Sequence, residues 1–251
     1  MADAKILEKG LKLLEELAQS AEGKTALELA DLLGIHKTSV YRYLNTLLEM
    51  GYIRTDGNGV YHLGNKILEL GSHMLRRMPL RETAHPFLVK LSAETQKTVH
   101  LCVLDGAEVV YLDKVESQRS LPIISRIGSR APAYCTGVGK ALLSSLPSDQ
   151  IVEILRKTSL VKRTETTITD PVQLLEELKQ TRARGYAIDN CEHEEGIKCF
   201  AAVIKGYGGE IVGAISITGL KREFDDQQQA EKLAETVKLT AEAISQALGY
   251  A

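Results

Sequence analysis

Residues 35–53 read "IHKTSVYRYLNTLLEMGYI". Val40, Leu44 and Leu47 recur at helical spacing and mark a side that packs inward. Thr38, Ser39, Arg42, Asn45 and Thr46 project from the opposite side. That face is short-armed, hydrogen-bonding and uncharged to basic, whereas a merely solvated helix face usually carries Glu and Lys pairs. No acidic residue stands between Asp31 and Glu49. A phosphate-facing surface needs such a gap, because a carboxylate there would be repelled.

The neighbouring segments give this helix a context. Ile6, Leu7, Leu11, Leu14, Leu17 and Ala18 predict a first helix over 3–20. Thr25 is an N-cap candidate, and Glu28 three residues on completes a capping box for "ALELADLLG", with Gly34 as C-cap. Downstream, "YIRTDGNGVYHL" (52–63) places Asp-Gly and Asn-Gly between two β-prone runs, a strong hairpin signal. "GNKILELGSHMLRRM" (64–78) is again helical, and Pro79 is read as closing it. Helix, helix, tight turn, helix, hairpin is the order of a winged helix-turn-helix, whose second helix is free to enter a DNA major groove. Thr38, Ser39 and Thr46 would then reach phosphates or base edges, with Tyr41 at their flank. Arg42 could take guanine bidentately, and Lys37 would meet a phosphate near the helix N-terminus. Thr25 and Arg54 are further backbone-contact candidates, and Asn58 at the hairpin tip would touch the minor groove.

The chain has 251 residues, 44% of them hydrophobic and 25% charged, with a formal charge of −2. That balance excludes a polybasic chain, so any nucleic-acid contact must be local. No run of about 18 apolar residues predicts a membrane span. The start lacks the layout of a signal peptide, so a cytoplasmic protein is expected. The four cysteines, at 102, 135, 191 and 199, form no C-x-x-C pair and read as reduced, buried thiols. One alternative gathers Cys135, Cys191, His193 and Cys199 around zinc, although their spacing fits no standard pattern. No metal or other cofactor is expected.

Beyond Pro79 the pattern changes. A helix is predicted over 80–97, then strands "TVHLCVLDG" and "AEVVYLDKVE", and later "GYAIDN", "IKCFAAVIKG" and "GEIVGAISITG". Helices are predicted near 137–146, 148–156, 171–184 and 225–247. Antiparallel strands with helices segregated to the ends indicate an α+β domain. "TGVGKA" is no P-loop, since Tyr134 stands where its first glycine belongs and Ala141 follows Lys140. There is no G-x-S-x-G elbow. Asp189, Glu192, Glu194 and Glu195 cluster with His193. Gly137 and Gly139 open a helix whose N-terminal amides could receive a small carboxylate. Ser216 and Thr218, two apart on one strand, add hydroxyls on one face.

The stretch "GIHKTSVYRYLNTLLEMGYI" resembles the recognition segment of the IclR family of bacterial transcription regulators. "PAYCTGVGKALLSSLP", "GYAIDNCEHEEGIKCFAAVI" and "GGEIVGAISITG" resemble three later segments of that family, in the right order. At His36 many members carry Pro. The resemblance implies a winged helix-turn-helix over 1–63, a linker helix over 64–78 and a GAF/PAS-like, antiparallel-sheet effector-binding domain over 79–251. It implies effector-binding positions at Gly137, Val138, Asp189, Ile197, Cys199, Ser216 and Thr218. It implies double-stranded operator DNA and a small organic acid as partners, a homodimer or tetramer, and no membrane. "ISRIGSRAPAY" and "VKRTETTIT" resemble the branch that senses 2-keto-3-deoxygluconate. Arg126 and Arg130 either pair with a carboxylate or are ordinary surface arginines. The expected function is a ligand-responsive repressor of a catabolic operon, not an enzyme. The alternatives are an activator of the same family, an enzyme acting on a small acid with an appended DNA-binding domain, and an adaptor whose second domain only oligomerises.

Overall fold

The computed structural model describes residues 2–76, 78–117 and 125–250. The chain divides into two compact units, 1–77 and 78–251.

The first unit runs α1 (Ala2–Ala18), β1 (Lys24–Thr25), α2 (Ala26–Leu33), α3 (Lys37–Glu49), β2 (Ile53–Thr55), β3 (Val60–Leu63) and α4 (Asn65–Arg76). Thr25 and Glu28 form the capping box: the Thr25 hydroxyl accepts from Glu28 N–H, and the Glu28 carboxylate accepts from Thr25 N–H at 2.7 Å. Gly34 ends α2 in the left-handed conformation at φ 60°, where a β-carbon would be strained. His36 is the N-cap of α3 at φ −62°, the angle proline is fixed to, so the turn into α3 forms without a proline. The core of the unit joins Leu13 and Leu17 of α1, Leu29 of α2, Val40 and Leu44 of α3, and Ile53 and Tyr61 of the wing. Tyr43 joins them from the side of α3 that the apolar spacing alone did not mark. The hairpin forms between β2 and β3, and β1 adds a third antiparallel strand, giving the order β1-β3-β2.

Pro79 does not close a helix; it opens the next one. It occupies the first turn of α5 (Pro79–Thr95), where its missing N–H has no intrahelical role. The sheet of the second unit comprises β4 (Thr98–Asp105), β5 (Glu108–Val115), β6 (Arg130–Pro132), β7 (Ala187–Asn190), β8 (Ile197–Lys205) and β9 (Ile211–Leu220). The helices are α6 (Gly137–Ser144), α7 (Ser148–Arg156), α8 (Pro171–Arg184) and α9 (Gln227–Ala247). All neighbours in the sheet are antiparallel, in the order β6-β5-β4-β9-β8-β7.

The helices are not segregated to the ends of this sheet; they cover both of its faces. Val99, Leu101, Phe200, Ile215 and Ile217 pack with Leu88 and Leu91 of α5 and Val237 and Ile244 of α9. Cys102, Ala201 and Ala214 pack with Val138, Ala141 and Leu142 of α6 and Leu174 and Leu178 of α8. A sheet buried on both faces needs near-continuous apolar strands, which is why "CFAAVI" and "IVGAISI" do not alternate with charges. All eight residues of α6 are buried.

Candidate functional site

On α3, Lys37, Thr38, Tyr41, Arg42, Asn45 and Thr46 are exposed and Ser39 is half-buried, while Val40, Tyr43 and Leu44 face inward. The Arg42 guanidinium lies 5.5 Å over the Tyr43 ring. The Thr46 hydroxyl donates to the Arg42 carbonyl at 3.2 Å, so it meets an outside partner as an acceptor. Arg54 and Asn58 are exposed on the wing. At its tip the Asp56 carboxylate accepts from the Asn58 and Val60 amides, which builds the turn and presents the Asn58 side chain outward. The Thr25 hydroxyl is held within the capping box.

In the second unit all seven positions expected to bind effector line one cavity of about 150 Å³: Gly137, Val138, Asp189, Ile197, Cys199, Ser216 and Thr218. The sheet register explains the convergence. His100 of β4 stands directly opposite Ser216 of β9, and Cys199 of β8 stands opposite Thr218. Successive strand residues alternate faces, so the partners Ile215 and Ile217 go to the core while Ser216 and Thr218 turn to the cavity. On the far wall Thr136 caps α6, its hydroxyl accepting from Gly139 N–H at 3.3 Å and donating to the Pro132 carbonyl at 2.9 Å. Gly137 and Val138 follow, with N–H groups in the first turn, where a helix has no acceptor of its own. A β-carbon on Gly139 would lie 2.3 Å from the Ala133 backbone, and one on Gly137 would press on Cys199 at 3.3 Å. Both glycines therefore let α6 approach its surroundings closely.

The lining is rich in neutral donors. Burial, and then the Lys114 charge, lowers His100 to about 3, so the ring is neutral. It sits between the Ser125 hydroxyl at 2.9 Å and the Thr218 hydroxyl at 3.3 Å, edge-on to Tyr111. Burial raises the Tyr111 hydroxyl, which stays a donor. His193 also lines the cavity; burial, then the Arg163 charge, lowers it to about 4, and its buried Nδ1 has no hydrogen-bond partner among the described residues. Burial, and then the neighbouring Glu192 charge, raises Asp189 to about 7.

The acidic cluster separates. Asp189 and Glu194 line the cavity, and Glu195 is exposed. Glu192 turns away to bond Lys140, a side chain only 1% exposed, which also meets Glu177 at 3.4 Å. Arg184 closes this chain on Glu177 at 2.6 Å. Arg130 borders the cavity, but its guanidinium is held by Asp105 and Glu108, each at 2.7 Å, and Arg126 is an exposed residue outside the lining. Among the described residues no group of three or more His, Cys, Asp or Glu is placed to hold a metal ion. Cys135, Cys191, His193 and Cys199 do not form the ligand set weighed for zinc, and burial holds the Cys135 and Cys199 thiols above their ordinary range. "VKRTETTIT" contributes nothing to the lining, and Ile124, the first residue of "ISRIGSRAPAY", lies outside the described residues.

His100, Tyr111, Ser125 and His193 were not picked out as cavity residues by sequence. The face alternation that sends His100 and Cys102 away from Val99 and Leu101 was available, but the cross-strand register was not. Among the described residues no helix is long and apolar enough to cross a membrane.

Residues 6–57 match the family described as the IclR helix-turn-helix domain, and residues 72–246 match that of the bacterial transcriptional regulator IclR C-terminal domain. The chain is 35% identical to the HTH-type transcriptional regulator KdgR of Escherichia coli over 224 residues, covering 89% of this chain and 85% of the relative. It is 34% identical to the transcriptional repressor IclR of E. coli, covering 94% and 87%. The one-point gap does not single out either branch. The solved structure of the Thermotoga maritima IclR matches with a TM-score of 0.80 and 36% identity, over 98% of this chain and all of that one. A helix-turn-helix with its wing and a second domain holding a buried cavity match the family's two domains in order across most of the chain, and the chain belongs to the IclR family of bacterial transcriptional regulators.

Proposed function

We propose that the protein represses a catabolic operon and releases its operator when a small carboxylic acid enters the 150 Å³ cavity. The observation that carries this reading is the meeting of the α6 N-terminus with the Ser216 and Thr218 hydroxyls across one buried space. The Gly137 and Val138 amides take the carboxylate, helped by the helix dipole. Ser216 and Thr218 bond a hydroxyl or keto oxygen further along the molecule. Asp189, protonated, donates to the acid, and Ile197 and Cys199 form the apolar wall. This lining suits a keto or sugar acid such as 2-keto-3-deoxygluconate.

On the DNA side, Arg42 reads a guanine, Thr38, Ser39, Tyr41 and Thr46 meet base edges or backbone, and Lys37, Arg54 and Thr25 meet phosphates. Asn58 reaches the minor groove. Two copies read a pseudo-palindromic operator, one α3 per half-site, as a homodimer or a dimer of dimers. Leu68, Leu70 and Met74, exposed on α4, support a contact between copies. Effector binding shifts the balance between arrangements that hold the operator and those that do not.

The test pairs calorimetry with gel-shift titration on an operator selected from random duplexes, using a panel of keto and sugar acids. One acid is expected to bind and to raise the protein concentration needed for the shift. Ser216→Ala should leave operator binding without effector unchanged and weaken the acid by about tenfold, the effect of one buried hydrogen bond. Wild-type acid affinity in Ser216→Ala removes that contact from the site.

A further inference from the structure

The segment "VKRTETTIT" lies outside the cavity, yet it is tied to the chain that closes it. The Thr164 hydroxyl donates to the Cys191 carbonyl at 2.7 Å, and the Thr166 hydroxyl donates to the same oxygen at 2.8 Å. The Thr167 hydroxyl donates to the Glu192 carbonyl at 2.7 Å and accepts from Thr164 N–H at 2.9 Å. Two consecutive carbonyls are thus held by three hydroxyls from one short turn. The residue they grip is unusual: Cys191 is buried and left-handed at φ 63°, whereas Gln96, the other left-handed non-glycine residue among those described, is exposed. An L-residue with a β-carbon adopts that conformation at a cost, and it persists where surrounding contacts over-determine it.

Glu192 is gripped from the other side too. Its N–H donates to Asp189 at 2.7 Å, and its carboxylate bonds Lys140. At the far end of the loop Lys221 N–H donates to the Gly196 carbonyl at 2.7 Å. His193 and Glu194, the wall of the cavity, hang between these two anchors.

We infer that Thr164, Thr166 and Thr167 are positioning residues for the effector cavity, a clasp whose hydroxyls hold the wall over 191–196 closed without touching the ligand. This rests on the reading of the cavity as the effector site, but the clasp can be measured without any effector. Cys199 lines the cavity behind that wall, whereas Cys102 is fully buried on β4. Methyl methanethiosulfonate labelling of the full-length protein, mapped by peptide mass, reports the two thiols separately.

Thr164→Val with Thr166→Val removes both hydroxyls from the Cys191 carbonyl at nearly constant volume. Labelling of Cys199 should quicken by about tenfold, the order expected from one or two net hydrogen bonds, while Cys102 keeps its wild-type rate. Thr164→Ser with Thr166→Ser restores the hydroxyls and should restore the slow rate. Thr166→Val alone, at an exposed position, gives the intermediate rate and guards against a double variant that folds poorly. An unchanged Cys199 rate in the valine variants, a serine variant as fast as the valine one, or Cys102 quickening in parallel would each overturn the clasp. If no acid binds the wild type, the proposed effector class falls, and the labelling comparison still decides the clasp.

Discussion

Arg42 stands exposed on α3 with its guanidinium over the Tyr43 ring, an arrangement that limits its freedom. Arg42→Ala should weaken operator binding by about 1–3 kcal/mol and relax preference at one base pair. Gel-shift titration against single-base operator variants measures both, and unchanged affinity excludes Arg42 as a base reader. Asp189 makes a second residue-scale prediction. With its carboxyl raised to about 7, the folded protein keeps a proton that an unfolded aspartate releases near 4. Raising the pH between those values therefore removes stability, and Asp189→Asn should flatten that loss in urea titrations at pH 5 and 8. An anionic effector meets a donor below about pH 7 and a carboxylate above it. Its affinity should fall by up to about tenfold per pH unit above that point, and calorimetry should show proton uptake on binding. A pH-independent affinity would mean that Asp189 does not face the acid. At this scale the pocket's serine, threonine and glycines were legible, because hydroxyls two apart on a strand share a face. His100 was not, because its partners Ser125 and Thr218 lie 25 and 118 residues away along the chain.

Elements whose ends carry their own signals came out as read. The Thr25–Glu28 capping box, the Gly34 C-cap and the Asp56–Gly59 wing turn are local chemistry, complete within four or five residues. Pro79 was misassigned because proline both ends and begins helices, and only the path of the chain distinguishes the two. The two-residue β1 carries no sequence signal; it exists because β3 offers it an edge. Helix α6 shows how tightly an element can be constrained. Gly139→Ala would put a β-carbon 2.3 Å from the Ala133 backbone. The expected cost is about 1–3 kcal/mol of overpacking, read as a lower unfolding midpoint in thermal melts. Stability equal to wild type would show that the turn over 133–135 gives way freely.

At the scale of the molecule, each unit has its own apolar core, and α4 presents Leu68 at 73% and Met74 at 58% exposure. Leu68→Glu with Met74→Glu places charges where a second copy is expected. Sedimentation velocity should show a shift toward monomer, and operator affinity should drop on the order of a hundredfold as two half-sites lose their link. A variant that keeps its assembly state assigns the contact to another face. An acid that loosens the wild-type operator complex should leave the monomeric variant's residual DNA binding unaffected, if release works through the arrangement of two copies.

The sequence by itself determined the helices, the longer strands, their order and the polar face of α3, since helical period, caps and turn residues act over a few positions. It also marked the pocket's glycines and hydroxyls, because each stands in a short motif of its own. Tertiary structure alone decided that both faces of the sheet are covered, and that His100 meets Ser216 across two strands. It alone turned Glu192 toward Lys140 and tied the threonines of "VKRTETTIT" to the cavity wall. These are long-range pairings. Their partners are chosen by strand register and by the need of each buried polar group for a counterpart, and neither is written in neighbouring residues.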